Sequence, residues 1–152
     1  MKLMEVLGLD VNVEILVHDA NTGQLIDRMR YHNLVPLAGR NAIRDFLFSG
    51  TAGGNISHFA FGTGLSDPAA SDTALQAEVY RAAITKKISN TGQVQYQQFL
   101  SSSQCNGYSL TEAGIFNNSV GGTLFARVKH QAIAKTASIT VTYNWTININ
   151  AG

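Results

Sequence analysis

Charge is scarce in this sequence. Charged residues make up 14% of the 152 positions, against roughly a quarter in ordinary soluble domains. The 11 Lys and Arg nearly cancel the 10 Asp and Glu, leaving a net charge of +1. No basic surplus exists to neutralise phosphates, so no nucleic-acid partner is expected, and Lys86-Lys87 reads as a solvated strand end. Cysteine occurs once, at Cys105. An internal disulfide and a CxxC metal site are excluded, and a buried or half-buried thiol is expected. No apolar run approaches the ~20 residues of a membrane-spanning helix, so no membrane partner is expected. The opening MKLMEVLGLD is too short and too acidic for a signal peptide, which points to synthesis and assembly in a cytoplasm.

Recognisable catalytic patterns are missing as well. His18, His32, His58 and His130 fall in no metal-binding spacing, and His58 sits inside an apolar strand, where a hydrogen-bonded structural role is expected. Gly64-Leu65-Ser66 lacks the second glycine of a nucleophile elbow. Gly62-Thr63-Gly64 lacks the third glycine and following helix of a dinucleotide loop, and the Gly-Lys-Ser/Thr end of a Walker loop. A tight turn at a sheet corner is expected there. Glu78 and Glu112 can face one another only if the fold arranges it. Each is expected to pair with an arginine, such as Arg81, or to accept from backbone N–H groups. The expectation is therefore a non-enzyme with no catalytic, cofactor-binding or metal-binding residues and no cofactor. Tyr96, Phe99 and Tyr108 lie near the amides of Gln93–Gln98. That pattern suits a sugar-binding face and an ordinary strand surface alike.

What is present is apolar periodicity. Hydrophobic residues make up 45% of the chain and mean hydropathy is +0.01, enough to build a core. The polar surface consists largely of Ser, Thr, Asn and Gln, which is cheaper to desolvate than Lys and Glu. Residues 11–17 alternate around Val11, Val13, Ile15 and Val17, and with 24–32 they predict a hairpin across Asn21-Thr22-Gly23. Leu37–Ser49 predicts a helix whose stripe of Ile43, Phe46 and Leu47 lies on a sheet, with Gly50 and Gly53-Gly54 stopping it. A strand 56–61 leads into the Gly-Thr-Gly corner. Asp72 is a plausible N-cap for a short helix 73–79. Ala82–Ser89 and Gln93–Leu100 predict a second hairpin, and 110–116 and 123–130 two further strands. Residues 137–150 place Ile139, Val141, Tyr143, Trp145, Ile147 and Ile149 on one face. A strand so regular is expected at a sheet centre, or extended to pair with a neighbour. The fold class expected is mainly β: an antiparallel β-sandwich with one packed α-helix and a short second helix.

The order of segments carries further information. ISHFAFGTG is followed by a Pro/Ala loop, DTALQAEVYRA, a hairpin, LTEAGIFN, a Gly-Gly turn, TLFARV, IAKT and a Thr-rich strand. This order resembles the phage tail-collar fibre family, the N-terminal attachment region of tail-fibre proteins, from about Leu34 onward. The matching positions include Gly62, Gly64, Asp72, Thr73, Ala74, Leu75, Glu78, Val79, Tyr80 and Arg81, then Glu112, Gly114, Ile115 and Phe116. Of these, Gly62, Gly64, Asp72, Glu78, Arg81, Glu112 and Gly114 become candidate structural or interface residues, with Glu78 and Arg81 a candidate pair. The chain is expected to be one structural domain, 1–152, made of an N-terminal strand hairpin (1–33) and a tail-collar-fibre-like region (34–152). Fibre proteins continue into a shaft and this sequence stops at Gly152, so the module is expected to stand alone. The resemblance implies a non-enzymatic virion component, assembled in the host bacterial cytoplasm. Its partners would be other tail, baseplate or capsid proteins and copies of itself, by preference in a trimer. A tail or baseplate fibre-attachment role is the leading expectation. A capsid decoration (cement) protein and a host-glycan-binding module are the alternatives.

Overall fold

The structure, a computed structural model, describes residues 7–50 and 55–151. The described residues form β1 (Leu7–Asp19), β2 (Leu25–His32), α1 (Leu37–Ser49), β3 (His58–Gly62), β4 (Glu78–Ala83), β5 (Lys86–Asn90), β6 (Gln93–Leu100), β7 (Ser109–Phe116), β8 (Leu124–Ala134) and β9 (Ile139–Ala151). They assemble into two antiparallel sheets, of order β2-β1-β9-β6-β5 and β4-β3-β7-β8.

Local turn chemistry builds the first hairpin as expected. The Asp19 carboxylate accepts hydrogen bonds from the backbone N–H groups of Asn21 (2.9 Å) and Thr22 (2.8 Å), and Gly23 takes φ 72°. Those two donors hold the Asp19 carboxyl below its ordinary value. The Thr-rich last strand, β9, is central. It pairs with β1 from Ile139 to Ala151 on one side and with β6 from Val141 to Asn148 on the other. Its edges are therefore taken within the chain and offer nothing to a neighbour. Among the described residues, the free edge that the first hairpin contributes is that of β2.

Both sheets contribute to one core. Val13, Ile15, Tyr143 and Trp145 of the larger sheet join Phe59, Phe61, Ala113, Ile115 and Val128 of the smaller one. Phe59 meets Trp145 edge-on at 5.8 Å, and Phe61 meets Tyr143 at 5.0 Å. Complete burial of a phenylalanine such as Phe59 contributes about 1.5–3 kcal/mol. The smaller sheet is covered on its second face as well. Ala60, Phe116 and Leu124 point away from the shared core and pack with Leu75 of the segment following β3. Both faces of β7 are therefore buried from Leu110 to Phe116.

Four expectations need correction. The helix expected over 73–79 is absent. Residues 72–77 are irregular and Glu78 already begins β4. Asp72 does not cap a helix: its carboxylate accepts from the preceding Ala69 N–H (2.9 Å). The run 82–89 is not one strand, because β4 and β5 lie in different sheets and the chain crosses between them at Ile84-Thr85. Helix α1 spans the expected residues and stops at Gly50, whose φ is 64° and whose N–H bonds the Phe46 carbonyl. Gly53-Gly54 lie outside the described residues. However, α1 docks through Gly39 and Ala42, not through the Ile43–Phe46–Leu47 stripe. A Cβ at position 39 would sit 2.1 Å from the Phe125 carbonyl oxygen, so the helix backbone rests directly on β8. Ile43 is partly packed, while Phe46 and Leu47 are 54% and 78% exposed. Finally, the aromatic residues near Gln93–Gln98 do not gather on one face. Tyr96 packs toward the core, and only Phe99 points outward with Gln93, Gln95 and Gln97.

Candidate functional site

Two strands of the smaller sheet carry a charge inside an otherwise apolar run: Glu112 in LTEAGIF of β7 and Arg127 in LFARV of β8. Adjacent pairing brings them together on the face away from the shared core. Glu112 is fully buried and Arg127 is 2% exposed. Arg127 Nε donates to Glu112 Oε2 at 2.9 Å. The same guanidinium reaches Asp72 Oδ2 (3.0 Å) and the Ser66 carbonyl (2.8 Å).

The Glu112 carboxylate has three further donors, all backbone N–H groups of the covering segment. Gly64 (3.0 Å) and Ala77 (2.8 Å) donate to Oε1, and Gln76 (3.1 Å) donates to Oε2. The Thr111 hydroxyl donates to the Gly64 carbonyl (2.7 Å). Gln76 Oε1 accepts from the N–H groups of Leu65 (2.6 Å) and Ser66 (2.8 Å). A loop of fifteen-odd residues with no regular structure is thus pinned to the sheet by one carboxylate and one guanidinium. The same bonds explain why 73–79 is not helical, since Glu112 takes the Gln76 and Ala77 N–H groups.

The glycines of the motif fit this node sterically. A Cβ on Gly62 would lie 2.5 Å from Glu112 Oε1 and 2.6 Å from the Ala77 carbonyl. One on Gly64 would meet Glu112 Oε1 and the Gln76 side chain, each at 2.5 Å. One on Gly114 would press on Leu75 and Leu124 at 2.9 and 3.0 Å. Gly62, Gly64, Asp72, Glu112 and Gly114 therefore meet in one place.

Glu78 and Arg81 form a second fastening nearby. Glu78 and Glu112 both sit opposite Gly62, on its two sides, but do not pair with each other. Arg81 Nη2 bonds Glu78 Oε1 at 2.6 Å, and its Nη1 donates to the carbonyls of Asn118 (3.0 Å) and Gly121 (2.6 Å). Its guanidinium lies 3.8 Å above the Phe116 ring. Arg81 thereby clamps the β7–β8 turn to β4. At the rim, Lys129 bonds Asp67 at 2.9 Å and holds that carboxyl below its ordinary value.

Sequence reasoning missed Arg127, Thr111, Gln76 and Ser66. A usable signal existed for the first: two opposite charges at inward positions of neighbouring apolar strands are expected to be buried only as a pair. Elsewhere, His130 is buried. Its Nε2 lies 3.0 Å from the Tyr143 hydroxyl and its Nδ1 2.8 Å from the Gln131 carbonyl. Burial pushes its pKa below the ordinary value and pushes that of the Tyr143 hydroxyl up. Cys105 is buried with φ 59°, and burial raises its thiol to about 11. Among the described residues, no group of three or more His, Cys, Asp or Glu is placed to hold a metal ion, and no helix is long and apolar enough to cross a membrane.

The segment that holds this node also matches a known family. The family model described as phage tail-collar fibre protein, N-terminal, matches residues 29–150. The chain belongs to this family. The match runs from within β2 to the end of β9 and covers both fastenings. No curated protein and no solved structure gives a significant match. The tail-collar fibre family is structural and non-enzymatic. Membership makes this chain a tail fibre structural protein, a virion component that interacts with other phage tail proteins.

Proposed function

We propose that this chain is a fibre-attachment-type module seated at the tail or baseplate, assembling through β-rich protein–protein contacts. The observation that carries the reading is the complete internal engagement of the buried charges. Glu112 and Arg127 are held by backbone groups, Asp72 and each other, which suits a fastening and leaves neither of the two free for catalysis. In this reading the two sheets are the halves of a β-sandwich and residues 1–152 act as one domain. Gly62, Gly64, Asp72, Glu78, Arg81, Glu112 and Gly114 keep the covering segment and the β7–β8 turn in a fixed shape for assembly. The weakly charged surface and the free edge of β2 support homo-oligomerisation, by preference as a trimer, and assembly takes place in the host cytoplasm.

Immunogold labelling of purified phage particles tests the proposal. Gold confined to the tail is the expected result. Gold spread over the capsid replaces the proposal with a decoration role, and particles that lack the chain altogether overturn it.

A further inference from the structure

Among the described residues, nothing covers the last turn of α1. Phe46, Leu47 and Phe48 are 54%, 78% and 91% exposed. We infer that this turn is the surface through which one copy of the chain packs against another, like against like. The inference rests on the self-association proposed above and assigns it a surface apart from the edge of β2.

Isolated exposed apolar side chains are ordinary, but three consecutive ones of this size are not. Successive helix residues are turned by about 100°, so the three cover more than half of the circumference of that turn. No charge interrupts them, since Ser49 and the Gly50 cap follow directly. Their exposure follows from how α1 docks. Gly39 and Ala42 bring the first half of the helix onto β8. Phe46 lies on that same side, one turn beyond Ala42, and is still half exposed. The last turn therefore reaches past the cover that β8 provides.

Three features select a second copy as the occupant. The first is area. At about 200 Å² per large side chain, Phe46, Leu47 and Phe48 expose roughly 450 Å² of apolar surface. A standard interface takes roughly 800 Å² from each partner, and between identical subunits about two-thirds of that is apolar. One turn thus supplies most of the apolar area that a stable homo-oligomer needs. The second is spacing. Ile43, Phe46 and Leu47 stand at i, i+3 and i+4, the row by which helices pack on one another, and Ile43 is only partly packed in its own chain. An equal row matches such a row, and the same turn of another copy presents it. Symmetric association brings the same patch of each copy together. The third is charge. Arg44 and Asp45, exposed beside the row, carry opposite signs, so two such turns meet without net repulsion.

Size-exclusion chromatography with light scattering on the purified full chain tests the inference. The natural chain is expected to run as an oligomer. Leu47→Ser combined with Phe48→Ser should raise the dissociation constant about a hundredfold or more, with the circular dichroism spectrum unchanged. Phe48→Cys gives a second reading. Cys105 is buried, so oxidation should link Phe48→Cys copies into disulfide dimers, while Val120→Cys, also exposed but on the β7–β8 turn, should stay unlinked. A natural chain that stays monomeric at high concentration overturns the inference, even where another tail protein binds the turn. So does an oligomer that the double substitution leaves intact, or cross-linking equal in Phe48→Cys and Val120→Cys. A monomeric chain together with tail-confined gold overturns this inference alone and leaves the attachment role standing.

Discussion

Replacing Glu112 with glutamine keeps the shape of the side chain and removes its charge. The carboxylate accepts from the Gly64 and Ala77 N–H groups at Oε1, and from the Gln76 N–H and Arg127 at Oε2. An amide offers one acceptor end. Whichever way it turns, its NH₂ faces two of these donors, and their bonds are lost. If the NH₂ faces Arg127, the guanidinium is left buried with Asp72 and Ser66 as its partners. Breaking a buried pair from one side costs about 3–5 kcal/mol, and each orphaned buried donor about 1–3 kcal/mol within that total. Arg127 retains Asp72, so the lower part of the range, about 3–4 kcal/mol, is expected. For a chain of this length that lowers Tm by about 6–16 °C. Urea unfolding followed by fluorescence of the single, buried Trp145 reads the change directly. Glu14→Gln is the comparison, since it breaks the exposed pair with Arg30 and should cost at most about 1 kcal/mol. A loss under ~1 kcal/mol for Glu112→Gln, equal to that of Glu14→Gln, refutes the claim that this carboxylate pins the covering segment.

Other outcomes follow from the same geometry. Gly39→Ala places a methyl group against the Phe125 carbonyl, so α1 must lift from β8 at a cost of about 1–3 kcal/mol, visible as faster proteolysis within α1. Arg81→Lys keeps the charge but loses the fork that joins Glu78 to the Asn118 and Gly121 carbonyls, and should cost about 1–3 kcal/mol in urea unfolding. The lowered pKa of His130 makes stability depend on pH. The unfolded chain takes up a proton near the ordinary histidine value while the folded chain still resists it, so stability is full above that value and falls as pH drops below it. The limit for this one site is about 1.4 kcal/mol per pH unit. Unfolding free energies between pH 8 and 5 should fall less steeply in His130→Gln than in the natural protein.

Much of the architecture was legible because it is written in near-neighbour periodicity. Alternation along 11–17 and 137–150 marked β1 and β9, the Thr-Gly turns marked the β1–β2 and β5–β6 hairpins, and Gly50 marked the end of α1. The motif order also marked Gly62, Gly64, Glu112 and Gly114 as special, without saying why. The reason lies between residues far apart in the chain. Glu112 takes N–H groups 35, 36 and 48 positions away, and this overrides the helical leaning of 73–79. The docked face of α1 could not be read from its apolar stripe, because the deciding contact is between two backbones, Gly39 against Phe125. The split of 82–89 between sheets was equally hidden, since each half alternates normally and only the pairing partner differs.

The sequence by itself determined most of the strands, the helix and the poverty of charge, which are properties of a residue and its near neighbours, and the family, through the order of its segments. Tertiary structure alone decided that Glu112 meets Arg127 and that a loop lies where a helix was expected. Each of these depends on register between strands, which sets distances that no local pattern encodes.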